Sequence, residues 1–209
     1  MILKSGLFSS QRTPDRISHE DEDAVRHLSS SIQDLLPRLF YKPIVVLCIG
    51  TDRSTGDSLG PLTGTKLMEK RLSHFHVYGT LKDPVHAVNL QESVKRIKEA
   101  HRNPFIIAID ACLGRIKNVG TFQVGAGPIK PGSGVNKELP AVGDIHINGI
   151  VNVSGFMEFF VLQNTRLHLV MTMSDIIAES LYMTDRAFAR KKALFKPAIN
   201  PIPEPHIEQ

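Results

Sequence analysis

The chain has 209 residues, 42% of them hydrophobic and 22% charged, with a formal net charge of +4 at pH 7. That is enough apolar material for one well-buried domain, and too mild a charge bias to single out nucleic acid or an anionic membrane as the partner. No apolar run is long enough to cross a bilayer, and Met1 to Phe8 lack the apolar stretch of a secretory signal.

Residues 1–22 are polar, carry Pro14 and read as an N-terminal arm. A single domain is expected over residues 23–196. It opens with a helix that buries Val25, Leu28, Ile32, Leu35, Leu36 and Leu39. Ile44 to Gly50 is a continuous apolar run, the pattern of a strand buried on both faces of a parallel sheet. The polar loop from Thr51 to Gly60 follows. Pro61 then sits in the first turn of a helix reaching about Leu72. His76 to Tyr78 is a short strand. Asn89 to Glu92 has the spacing of a capping box ahead of a helix through Ile97. Phe105 to Asp110 is a second buried strand, and Val119 to Val124 a third element of that kind. A long Gly/Pro loop spans Gly125 to Gly134, Ile145 to Val151 is extended, and Ser154 to Gln163 is helical. Leu167 to Met173 reads as the last core strand, with a terminal helix from Ser174 into the basic stretch Arg186 to Lys196. Residues 197–209, with four prolines, form a tail. Alternating helices and strands imply an α/β fold, three layers deep, on a mostly parallel sheet.

Two aspartates stand where these strands give way to loops: Asp57 after the first strand and Asp110 at the end of the second. In open parallel sheets the ligand crevice lies beyond the carboxyl ends of the strands, so the two can share one cleft. Two carboxylates in close reach cannot both ionise cheaply. One holds a proton while the other deprotonates water, which is the chemistry of amide hydrolysis. Asp57 taken alone fits a helix cap equally well. A metal site is the chemical rival, with Asp52, Asp57, Asp110, Asp144 and His146 as donors, but no spaced His or Cys pair supports it. No cofactor is called for. The loop is neither a Walker A sequence nor a dinucleotide fingerprint, and Gly132-Ser133-Gly134 lacks the G-x-S-x-G elbow of serine hydrolases. Cys48 and Cys112 read as small buried hydrophobes, and two cysteines without a signal suit a reducing cytoplasm. The basic C-terminal cluster has no interleaved aromatic residues, which disfavours single-stranded nucleic acid.

The segment Cys48 to Pro61 (CIGTDRSTGDSLGP) resembles the first signature of the germination proteases of spore-forming bacteria. Ile109-Asp110-Ala111 resembles their second, and Pro131 to Val135 a third. From about Ile44 to Leu181 the chain is similar to the shorter YyaC-type sporulation proteins. The resemblance implies a fold like that of the hydrogenase maturation peptidases and a catalytic pair at Asp57 and Asp110. Apart from the resemblance, Asp52, Arg53, the Ser133 loop and His146 are expected to shape the substrate groove, and the proteases carry other residues at the Asp52 and Arg53 positions. The implied substrate is a peptide or a small acid-soluble spore protein, in the cytoplasm of a sporulating cell or in the spore core. The maturation peptidases bind nickel through equivalent acids and a histidine. That histidine position falls in the Gly-Ser-Gly loop, which has none here, and this favours a metal-free carboxylate pair. An inactive binding protein on the same fold, a metal-dependent hydrolase and a homo-oligomeric state stay open alternatives.

Overall fold

The computed structural model describes residues 16–37, 41–131 and 140–194. Leu39, Ser133 and the proline-rich tail lie outside them. Six strands form one mixed sheet: β1 (Arg16–Ser18), β2 (Ile44–Cys48), β3 (Phe75–Tyr78), β4 (Phe105–Gly114), β5 (Thr121–Ala126) and β6 (Ile145–Val153), in the order β1-β5-β6-β4-β2-β3. β3, β2, β4 and β6 run parallel, and β5 is antiparallel to both β6 and β1. The end of the polar N-terminal stretch is therefore an edge strand, seated by the buried side chain of Ile17.

The alternation of β2 and β4 sorts their side chains between two layers. Ile44, Val46, Cys48, Ile107 and Ile109 join the core beneath α1 (Ala24–Leu35), α2 (Leu59–Glu69) and the long α5 (Leu167–Leu194). Val45, Leu47, Ile106 and Ala108 join the core beneath α3 (Leu90–Ala100). The result is the three-layer α/β arrangement, with its heavier helical layer on the α5 side.

Three local expectations are corrected. Leu167 to Met173 is not a strand but the start of α5. Its buried residues Val170, Met173, Ile177 and Leu181 recur every three or four positions, a period that the seven residues from Leu167 to Met173 read in isolation do not reveal. The strand expected to stop at Asp110 continues to Gly114, because β6 keeps pairing with β4 after β2 has left it. The capping box at Asn89 does not form. Asn89 Oδ1 instead accepts the His86 N–H at 2.8 Å, and its Nδ2 donates to the Pro84 carbonyl at 3.0 Å, so the side chain braces the preceding loop.

α5 is bound to the frame by polar contacts as well as by apolar packing. Lys66 and Lys70 of α2 pair with Asp175 and Glu179, and Ser29 of α1 meets Thr184 at 2.9 Å. The fully buried Asp185 accepts backbone N–H groups from Ser73, His74 and Phe75 at 2.7, 2.8 and 3.0 Å. One carboxylate thus satisfies three donors at the entry to β3. Removing it leaves those donors desolvated and unpaired, each at a cost of about 1–3 kcal/mol. Asp185→Ala should lower the unfolding free energy by about 3–5 kcal/mol in chemical denaturation. A loss below about 1 kcal/mol would contradict this role.

Candidate functional site

The cleft begins where β2 and β4 part. Their pairing ends at Cys48 and Ile109. Ile49 then turns to a single parallel bridge with Val85, and the Gly50 N–H donates to the Val85 carbonyl at 2.8 Å. β4 runs on beside β6, so Asp110 stands at the notch that β2 vacates. A cleft of about 560 Å³ opens there, within the usual size of a ligand site. Its lining includes Thr51, Asp52, Arg53, Asp57, Asp110 and His86, together with Pro84, Val88 and Pro131.

Asp57 reaches this cleft on a 3₁₀ turn, Gly56–Ser58, that leads directly into α2. The turn is fastened on both sides: Thr51 N–H donates to the Asp57 carbonyl at 3.2 Å, and Ser58 N–H to the Ser54 carbonyl at 3.0 Å. Among the described residues the Asp57 carboxyl accepts no backbone N–H of α2, so it does not serve as the helix cap. Burial pushes its pKa up, against a smaller opposing pull from the Ser54 hydroxyl. That hydroxyl is buried and completes no hydrogen bond of its own within 3.5 Å.

Asp110 is more strongly perturbed. Burial, reinforced by the negative charge of Asp57, raises its pKa to about 8, with the Ala111 N–H pulling the other way. The two aspartates are 53 positions apart in sequence, yet they line one cleft and act on each other's charge. The charge of Asp57 favours the protonated form of Asp110, and the two titrate as a coupled pair.

Asp52 and Arg53 are exposed at the cleft entrance, on a turn where the Arg53 N–H meets Thr51 Oγ1 at 3.3 Å. His146 lies on β6 opposite Ala108, and its Nδ1–H donates to the Gly127 carbonyl at 2.9 Å. It is not among the residues that line the cleft. Asp144 is committed elsewhere: its Oδ2 accepts the Ile106 N–H at 2.7 Å, four residues before Asp110 along β4 and so about 13 Å away. Ser133 is outside the described residues, although Pro131 just before it lines the cleft. His86 is the residue that the sequence pattern did not reveal. It looked like one of several scattered histidines, and only the Ile49–Val85 bridge brings its loop to the end of β2. Its Nδ1 accepts the Val88 N–H at 3.3 Å, which leaves Nε2 to carry the proton in the neutral ring.

Nickel requires several ligands around one point. Among the described residues no three His, Cys, Asp or Glu side chains are grouped so as to hold a metal ion. The two thiols are equally unsuited to nucleophilic attack. Burial raises the Cys48 pKa, and burial together with Asp110 pushes Cys112 up to about 12. No helix among the described residues is long and apolar enough to cross a membrane.

The raised pKa of Asp110 sets the sign of a stability effect. The folded state holds this proton more tightly than the unfolded state, so the contribution is full below about pH 4 and is lost as pH climbs through about 8. Asp110→Asn cannot ionise. It should therefore be more stable than the wild type at pH 8–9 by roughly 2–4 kcal/mol, and should show a flatter stability profile between pH 4 and 8. Parallel profiles for the two proteins in denaturant titrations would contradict the desolvated carboxyl.

Comparison with known proteins agrees with this architecture. A solved [NiFe] hydrogenase maturation protease, HycI from Thermococcus kodakarensis KOD1, superposes with a TM-score of 0.52. It covers 74% of this chain and 98% of its own at 16% identity, a likeness of fold. The "Uncharacterized protein YyaC" of Bacillus subtilis (strain 168) is 60% identical over 195 residues, 93% of this chain and 95% of the relative. The family model described as "Protein of unknown function (DUF1256)" matches residues 16–180, and the chain belongs to that family.

Proposed function

We propose that the protein is a peptidase that hydrolyses amide bonds with the Asp57–Asp110 pair. The observation that carries the reading is the shared cleft in which burial raises both aspartates, Asp110 to about 8 with the charge of Asp57 adding to the rise. Such a pair has the two protonation states that amide hydrolysis needs at neutral pH.

Asp57, ionised, takes a proton from water as the water oxygen attacks the peptide carbonyl carbon. Asp110, protonated, gives its proton to the carbonyl oxygen, so no free oxyanion develops in the buried cleft. The tetrahedral diol then collapses. Its hydroxyl proton returns to Asp110, the C–N bond breaks, and Asp57 passes its proton to the departing amine. Both carboxyls end as they began. His86 Nε2–H stands in the same cleft as a donor for a neighbouring peptide carbonyl. Asp52 and Arg53 at the entrance present one charge of each sign to the flanking residues of the substrate.

The motif resemblance supports a sporulation setting, with small acid-soluble spore proteins as the first substrates to try. Purified protein is expected to cleave such proteins or unstructured peptides, with kcat/KM rising as Asp57 ionises and falling above about pH 8. Asp57→Asn and Asp110→Asn should each cost about 10²-fold or more. Cleavage that survives the double substitution would refute the pair. Saturable peptide binding with no turnover at any pH would leave the fold as a binding module instead.

A further inference from the structure

The segment after β6 carries a large apolar surface that the fold itself does not use. Phe156 is 91% exposed, Phe159 59% and Phe160 52%, and none of the residues of the short helix α4 (Glu158–Gln163) is fully buried. Met157 stands at its N-terminus with φ 59° and ψ 46°, a left-handed conformation rarely adopted by residues with a side chain, and is 53% exposed. Leu167 and Met171, 58% and 36% exposed, extend the patch along the first turn of α5. These segments are joined: Asn152 Nδ2 donates to the Val161 carbonyl at 3.1 Å and to Thr165 Oγ1 at 3.2 Å. Phe159 and Phe160 meet edge to face at 5.9 Å.

We propose that this face is the contact between two copies of the chain, packed about a two-fold axis through α4 and the start of α5. At about 150–250 Å² for a whole large side chain, the exposed fractions of these six residues together offer roughly 500–900 Å². A stable dimer of standard size buries about 800 Å² on each partner, and a patch this large exceeds what monomers usually expose. The flanking charges suit a second copy rather than a lipid surface. Glu158 and the exposed Arg166 supply one charge of each sign on the same segment, and an isologous contact would set Glu158 of one copy against Arg166 of the other. An anionic membrane would call for a basic border.

The contact bears on the cleft as well. Leu162 of α4 lies so close over the turn bearing Asp57 that a Cβ on Gly56 would sit 2.7 Å from its Cδ2. Covering the outer face of α4 therefore steadies the turn that presents Asp57. The interface itself does not depend on the peptidase reading.

Sedimentation velocity of the full-length chain from about 1 to about 100 µM is expected to show a dimer with Kd in the low micromolar range or below. Phe156→Glu with Phe160→Glu should weaken association at least about 100-fold and leave the far-UV circular dichroism unchanged, since neither ring supports the core. Arg166→Glu leaves every apolar side chain in place. It should weaken association about tenfold, and adding Glu158→Arg should restore it. A wild type that stays monomeric at about 100 µM overturns the proposal and leaves the face to a different protein or to the chain's own segments. A dimer whose affinity is indifferent to the double glutamate variant, or to the charge swap, overturns it equally.

Discussion

Everything at the cleft depends on how closely the Asp57 turn lies against the end of β2. Gly50, with φ 146°, has no side chain to hold the turn away: a Cβ there would stand 1.9 Å from the Asp57 carbonyl oxygen. A Cβ on Gly60 would stand 2.1 Å from the Ile49 carbonyl oxygen. Backbone cannot yield at such distances, so any side chain at either position forces the turn off the strand. With both glycines in place, Thr51 N–H reaches the Asp57 carbonyl and α2 starts directly above the strand. The carboxyl of Asp57 is delivered to the notch beside Asp110 by this contact.

Bringing two acids together in a partly dry notch works against folding, and the rest of the structure offsets it. All five residues of β2 are buried, and both faces of β2 and β4 feed closed apolar clusters. Polar anchors such as Asp185 and Asp144 are spent on backbone donors at the strand entries, the end of the sheet away from the cleft. The sheet is thus made rigid from below, while its carboxyl edge carries the groups that titrate. Two acids that would be more stable apart are thus held close by the surrounding frame.

Much of this was legible in the residues. The apolar runs at Ile44 and Phe105 specified buried parallel strands, and the position of Asp57 and Asp110 beyond them pointed to one cleft. The family signatures pointed to the same pair. What the pattern could not convey came from partners distant in sequence. The run Leu167 to Met173 is apolar at both periods over so short a stretch, and only its packing against α1 and α2 makes it helix. Asp144 and His146 looked like site residues because they sit near a glycine-rich loop, but strand register places Asp144 at the far end of β4 and ties His146 to Gly127. His86 enters the cleft through a single bridge between Ile49 and Val85, for which no local spacing exists.

The central claim is that two carboxyl groups share one proton in one cleft. Carbon-detected NMR titration of the aspartate side chains measures this directly. The account predicts that one carboxyl, assigned to Asp110 by its loss in Asp110→Asn, titrates near pH 8, and that its midpoint moves down when Asp57→Asn removes the neighbouring charge. An Asp110 midpoint near 4, unmoved by that substitution, would contradict it.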